Sequence, residues 1–211
     1  MSTLIILALV IWAVALRLKW KQPFLIGKSG ENFVSRKLLG LDPEQYKVID
    51  DLMLPSLGNI ATTQIDHVVV SNFGIYCIET KSYSGWIFGN AQQQHWTQVF
   101  YRYKKKFYNP LRQNYAHIKA IEVLLKSAYP QVQIRGFIAF PSADKLQITG
   151  TDTVGHVREI ISKIREFSAS VLSAKDRDAI VQILLNANIK DKEARKLHNQ
   201  NAHALKISKG F

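Results

Sequence analysis

Gln64-Ile65-Asp66-His67-Val68-Val69-Val70-Ser71-Asn72-Phe73-Gly74-Ile75-Tyr76-Cys77-Ile78-Glu79-Thr80-Lys81 is the stretch whose reading decides the fold. Two apolar, β-branched runs are separated by Ser71-Asn72-Phe73-Gly74, the pattern of paired strands around a turn. Val68 to Val70 and Ile75 to Ile78 are unbroken apolar runs, so both faces of each strand are expected to be buried. Asp66, Glu79 and Lys81 stand at the ends of these runs, and charged groups enter such places only when paired or bound to a metal. Glu79 and Lys81 are two apart and share a strand face, and strand pairing can bring Asp66 to the same place. His67 points to the opposite face, where a satisfied structural histidine is expected. Two carboxylates and an ammonium at the rim of a buried sheet make a hard-cation site with a lysine beside it, chemistry suited to phosphodiesters.

The segments on either side supply the rest of a core. Lys28 to Leu39 reads as an amphipathic helix, with Ser29 as N-cap and Phe33, Val34, Leu38 and Leu39 as its apolar stripe. Glu31 falls in its first turn, where the helix dipole favours a carboxylate. Tyr46 to Leu54 reads as a first strand, with Asp50-Asp51 marking an edge or a solvated bend. Gly85 to Gly89 and His95 to Phe100 are further short strands, with Trp86 and Trp96 as packing groups. Asn109 caps and Pro110 opens a helix that runs to about Ser127, and Gln113 and His117 share a face near its start. Ile134 to Phe140 is a buried strand; Leu146 to Thr149 and Thr153 to Val157 complete the sheet. Arg158 to Leu172 and Lys175 to Asn188 are amphipathic helices packed on one another and on the sheet.

The 211 residues suffice for one sizeable core with appendages, and 47% hydrophobic content excludes a disordered chain. Twenty-eight Lys and Arg against 16 Asp and Glu give a net charge of +12, which favours nucleic acid or an anionic membrane surface as partner over simple solubility. The single cysteine, Cys77, excludes an intrachain disulfide and a multi-cysteine zinc site, and inside an apolar strand it is a small hydrophobe. In residues 101–108, Arg102, Lys104, Lys105 and Lys106 alternate with four aromatics, as a backbone-gripping hairpin or a solvated hairpin tip.

Gly27-x-x-Gly30-Glu31, Gln64 to His67, Ile78 to Lys81, Gly85, Gly89, Trp96 and Asn109-Pro110-Leu111-x-Gln113 together resemble the NERD (nuclease-related) domain, over about residues 27 to 127. Within that set, Asp66 followed by Glu79-Thr80-Lys81 resembles the acid-and-lysine signature of the restriction-endonuclease-like nuclease superfamily. The resemblance implies an α/β fold with a restriction-endonuclease-like mixed β-sheet flanked by helices. It also implies a Mg²⁺- or Mn²⁺-dependent phosphodiester hydrolase acting on nucleic acid, DNA foremost. Asp66, Glu79 and Glu31 are then the metal's carboxylates, Lys81 the catalytic lysine and Gln113 an orienting residue. Arg102, Lys104, Lys105 and Lys106 would hold the strand. The alternative is a catalytically inactive module of the same fold that binds nucleic acid or a partner protein at the membrane. A membrane protein in which Glu79 and Lys81 form only a buried ion pair is a third reading, costly without compensation.

Residues 3–16 carry no charge and are followed by Arg17, Lys19 and Lys21. Fourteen helical residues span about 21 Å, and Leu18 and Trp20, with the cations snorkelling, extend this toward the roughly 30 Å hydrocarbon core. The expected organisation is a membrane anchor over 1–22, a nuclease-like core over 23–150, helices packed on it over 151–189 and a basic tail over 190–211. The cations after the apolar run orient a single-pass protein with its core in the cytoplasm. A cleavable signal peptide is the competing reading.

Overall fold

The two runs of the quoted stretch become neighbouring inner strands of a five-stranded sheet. In the computed structural model, which describes Leu7, residues 27–56 and residues 61–208, β1 spans Tyr46–Pro55, β2 Thr62–Ser71 and β3 Gly74–Thr80. β2 pairs antiparallel with both neighbours, and β3 pairs parallel with β7 (Ile134–Ala139), which holds the short β9 (Val154–Gly155). Every residue of β3 is buried, as its unbroken apolar run requires of a strand covered on both faces. On one face Val68, Val70, Ile75 and Cys77 pack with α2 (Pro110–Leu125) and α4 (Ala174–Ala187). On the other, Val69, Tyr76 and Ile78 pack with α1 (residues 27–38) and α3 (Val157–Glu166).

A second sheet replaces the single one expected. The chain leaves β3 at Lys81 and forms β4 (Gly85–Asn90), β5 (His95–Phe100) and β6 (Tyr103–Tyr108), and β8 (Ala143–Thr149) pairs parallel with β4. The order is β6-β5-β4-β8. The reason lies in the alternation of β8: Leu146 and Ile148 face inward while Lys145, Gln147 and Thr149 are exposed. A strand of that pattern cannot sit in a sheet covered on both faces. Instead Ile87, Trp96 and Phe107, with Leu146 and Ile148, form an apolar layer against Ile138 and Phe140. Gly89 is required there, because any Cβ at that position would collide with the indole of Trp96.

Several local expectations change. α1 is already helical at residue 27, so Ser29 lies within it rather than capping it, and Phe33 and Leu39 are exposed, leaving Val34 and Leu38 as the buried stripe. Trp96 is fully buried, but Trp86 is 49% exposed and is no core residue. α3 ends at Glu166, and α3 and α4 bury their apolar residues on opposite faces of the first sheet rather than on each other. Amphipathicity gives a helix a buried side but does not say which sheet face receives it. The basic tail is largely helical, as α5 (Lys192–Ser208), and its Arg195 clamps both carboxylate oxygens of Asp51 at 2.9 and 2.8 Å. β1 is indeed an edge strand, and Asp51 adopts φ 55° there. The proposed anchor over 1–22 lies outside the described residues apart from Leu7; among the described residues no helix is long and apolar enough to cross a membrane.

Candidate active site

β2 and β3 stop pairing one residue short of the acids. His67 opposite Ile78 is the last rung, so continuing the register sets Asp66 across from Glu79. The regular alternation of β2 breaks here: Ile65 and Val68, three apart, both enter the α2-side core. Where the next backbone acceptor would be, the Asp66 carboxylate takes its place, with the Thr80 N–H donating to Oδ2 at 2.7 Å. Lys81 remains fixed to the sheet, since its own N–H donates to the Ala139 carbonyl at 2.9 Å.

Glu79 is the centre of the cluster. It is 2% exposed; Lys81 Nζ donates to its Oε1 at 2.6 Å, and His117 Nε2 lies 3.1 Å from its Oε2. Lys81 Nζ also donates to Gln113 Oε1 at 2.9 Å, and His117 Nδ1 pairs with Thr63 Oγ1 at 2.6 Å. α2 supplies Gln113 and His117 four residues apart, one turn of a helix that starts where Asn109 caps Leu111 N at 2.9 Å and Pro110 enters the first turn. Glu31 arrives from α1, because Gly30 lets that helix press directly onto Ser82, where a Cβ would overlap the serine hydroxyl. On the face that α1 covers, away from Glu79 and α2, His67 is buried between Asp50 Oδ1 at 2.6 Å and Thr80 Oγ1 at 3.1 Å, the satisfied histidine expected.

The charges divide unequally. Burial alone would raise Glu79, but Lys81 and then His117 hold its carboxyl down to about 2. Burial would lower the Lys81 ammonium, yet Glu79 raises it above the ordinary lysine range. Asp66 is pushed well above the usual carboxylate range, by burial first and by the Glu79 charge second. Glu31 is raised by burial, with Glu79 adding to the rise and His67 opposing it. Of two neighbouring carboxylates, the one held by two donors keeps its charge and the other takes the penalty.

Asp66, Glu79, Lys81, Gln113 and Glu31 are therefore brought into one electrostatic neighbourhood. Arg102, Lys104, Lys105 and Lys106 stand elsewhere, all exposed on the β5–β6 turn and on β6, the outer strand of the second sheet. His117 and Thr63 complete the support of Glu79, and Asn114 binds the Cys77 and Phe137 carbonyls at 3.0 and 3.2 Å, tying α2 to β3 and β7. The spacing of Gln113 and His117 signals a shared face; nothing local signals Thr63, which is distant in sequence from α2. Cys77 is buried, its thiol pushed well up by burial, and it donates to Asn114 Oδ1, consistent with a packing role.

The donor set suits a hard divalent cation. Three carboxylates (Asp66, Glu79, Glu31) stand against one ammonium, so full ionisation leaves two negative charges that a divalent cation would balance. The cage is not closed: both Glu79 oxygens are engaged, and among the described residues no three His, Cys, Asp or Glu side chains gather as ligands. Each Glu79 oxygen carries one hydrogen bond and keeps a second lone pair, through which a cation could be held beside Lys81 and His117.

Comparison with known proteins assigns the family. An uncharacterized Bacillus anthracis protein is 35% identical over 187 residues, covering 88% of this chain and 85% of that one. A crystal structure of a protein of unknown function aligns over 88% of this chain and all of the other at 13% identity, with a TM-score of 0.29, below what establishes a shared fold. Residues 26–141 match the family model of the nuclease-related domain, and the chain belongs to that NERD family.

Proposed function

We propose that the protein is a metal-dependent nuclease that hydrolyses phosphodiester bonds, in DNA foremost. The observation that carries this reading is the convergence of Asp66, Glu79 and Lys81 at the open end of β2 and β3, with Gln113 on the lysine. A Mg²⁺ or Mn²⁺ ion held by Asp66 and Glu79, with Glu31 toward it, would supply Lewis-acid neutralisation of phosphoryl charge. Lys81 holds a proton at Nζ, 17% exposed at the rim, where it can orient water and stabilise charge on the reacting phosphate. Gln113 Oε1 fixes the direction of that ammonium, and His117, itself held by Thr63, fixes the Glu79 carboxylate. In this reading the first sheet with its flanking helices is the restriction-endonuclease-like core, and residues 1–22 are a membrane anchor that leaves it in the cytoplasm. The anchor rests on the sequence alone; alkaline extraction of membranes from cells with and without those residues tests it.

One observation favours an inactive binding module instead: both Glu79 oxygens are already engaged, by Lys81 and His117, without a metal. The deciding experiment is cleavage of duplex, single-stranded and RNA substrates with Mg²⁺, Mn²⁺ or chelator, by the parent and by Lys81→Ala. Cation-dependent cleavage that disappears in Lys81→Ala supports the enzyme; binding with no cleavage in either supports the module.

A further inference from the structure

The outward face of the second sheet is not accounted for by the carboxylate site. Register places Lys104, Val99, Trp86 and Lys145 in one transverse row across β6, β5, β4 and β8, and Lys106, Thr97, Phe88 and Gln147 in the next. The opposite face of the same strands carries the buried Ile87, Trp96 and Phe107, so both rows look outward. Trp86 is 49% exposed, with the ring of Phe88 6.2 Å away and Lys145 Nζ 4.9 Å over the indole. The four strands contain Lys104, Lys105, Lys106 and Lys145 against a single carboxylate, Asp144. Beside Phe88 the face opens into a depression of about 650 Å³ lined by Asn90, Thr97, Gln147 and Thr149.

We propose that this face is a platform for single-stranded nucleic acid, with Trp86 and Phe88 stacking on bases and Lys104, Lys106 and Lys145 pairing with phosphates. An exposed large aromatic on a sheet otherwise edged with lysines fits an unpaired strand, which presents base faces and phosphates together, whereas a duplex hides its base faces. Lys145 is an exposed, flexible cation, and an arriving base takes its place on the indole as the ammonium moves to a phosphate. The platform deepens the nuclease reading and rests on it for its purpose: Trp86 follows Lys81 by five residues, so at most about 18 Å of extended chain separates their Cα atoms. That separation is within the reach of a few nucleotides of a strand lying on the sheet.

The test is binding without turnover. Fluorescein-labelled oligo(dT), oligo(rU) and a duplex of the same length are titrated with the full-length chain in chelator, reading anisotropy and intrinsic tryptophan emission. The expected result is preference for the single strands, with quenching of emission that Trp86→Ala abolishes as its affinity falls about tenfold, within the range for loss of one base stack. The Lys104→Ala/Lys106→Ala/Lys145→Ala variant should flatten the log–log salt dependence by about 2, the figure for three single-strand phosphate contacts. The DNA and RNA arms distinguish the source of the strand. Tighter binding of duplex, no binding by the parent, or either Trp86→Ala or the triple variant binding within about twofold of the parent would overturn the platform. Cleavage by a parent whose binding ignores Trp86 would leave the enzyme standing and remove the platform. Trp86-dependent binding in a chain that never cleaves would do the reverse.

Discussion

Replacing Lys81 by methionine tests the ion pair at the heart of the site by its energetics. Glu79 is 2% exposed and is held down to about 2 despite its burial, against an ordinary 4.5; this favours its charged form by about 3 kcal/mol. Lys81→Met removes the largest source of that preference and leaves a buried carboxylate with His117 alone. Breaking a buried pair from one side costs about 3–5 kcal/mol, and because the Lys81 side chain is 17% exposed, about 3 kcal/mol is expected. The double variant Glu79→Gln/Lys81→Met removes both partners of the pair and keeps an amide for His117, so it should lie within about 1 kcal/mol of the parent. Guanidinium denaturation of the full-length chains at pH 7 in chelator, with unchanged m-values, supplies these differences. The sign with pH also follows. A carboxyl lowered on folding stabilises above its unfolded value, so the gap between parent and Lys81→Met should close as pH falls from 4.5 towards 2. Asp66, raised on folding, acts in the opposite sense, but Lys81 lowers it too, so its removal widens the gap in the same direction at neutral pH. A Lys81→Met cost below about 1 kcal/mol, or a double variant as unstable as the single, would refute the reasoning.

Three further outcomes are expected. Mg²⁺ or Mn²⁺ at a hundred times its dissociation constant should stabilise the parent by about 2.7 kcal/mol, seen as a rise in Tm, and Asp66→Asn should abolish the rise; an equal rise in that variant would exclude Asp66 as a ligand. Asn114→Ala strips hydrogen bonds from the Cys77 and Phe137 carbonyls and should cost about 1–3 kcal/mol in urea denaturation, and a neutral result would mean the carbonyls find other partners. Gly89→Ala drives a methyl into the Trp96 indole and should lower stability by about 1–3 kcal/mol, with a red-shifted Trp96 emission if the ring is displaced into water; unchanged stability would mean that the Trp96 ring repacks without cost.

What could be read from the residues was whatever a strand or a helix start dictates locally. Val68 to Val70 and Ile75 to Ile78 read as doubly covered strands, and charges at the ends of such runs call for a partner or a metal. Asn109-Pro110 fixed the start of α2, and therefore the turn on which Gln113 and His117 emerge. The clamp of His117 on Glu79 was not legible, because it depends on how α2 lies across the sheet, and helix periodicity carries no information about that angle. Nor could Leu146 to Thr149 announce β4 as a partner, since a parallel pairing across more than fifty intervening residues leaves no local mark. Ser29 misled for a related reason: it resembles a cap, but α1 is already helical two residues earlier.

The site and the end of the sheet are the same feature, and that coincidence has a physical cause. Along β1, Ile49 and Leu52 enter the same core cluster; along β2, Ile65 and Val68 do likewise. Each strand thus loses its two-residue alternation at one level, where Asp50 pairs with His67, and β1 does so through the left-handed Asp51. That conformation costs a non-glycine residue about 1–2 kcal/mol, against which Asp51 gains Arg195 and Gln64 as donors. The break frees the Thr80 N–H from its ladder partner, and a buried N–H must then find a side-chain acceptor. Asp66 is that acceptor, so the carboxylate is held next to Glu79 by a backbone requirement, against their mutual repulsion. An uninterrupted ladder would satisfy Thr80 by itself and remove the need for Asp66 beside Glu79. The irregularity in β1 and β2 is thus what permits two acids to persist together at the rim of an apolar sheet.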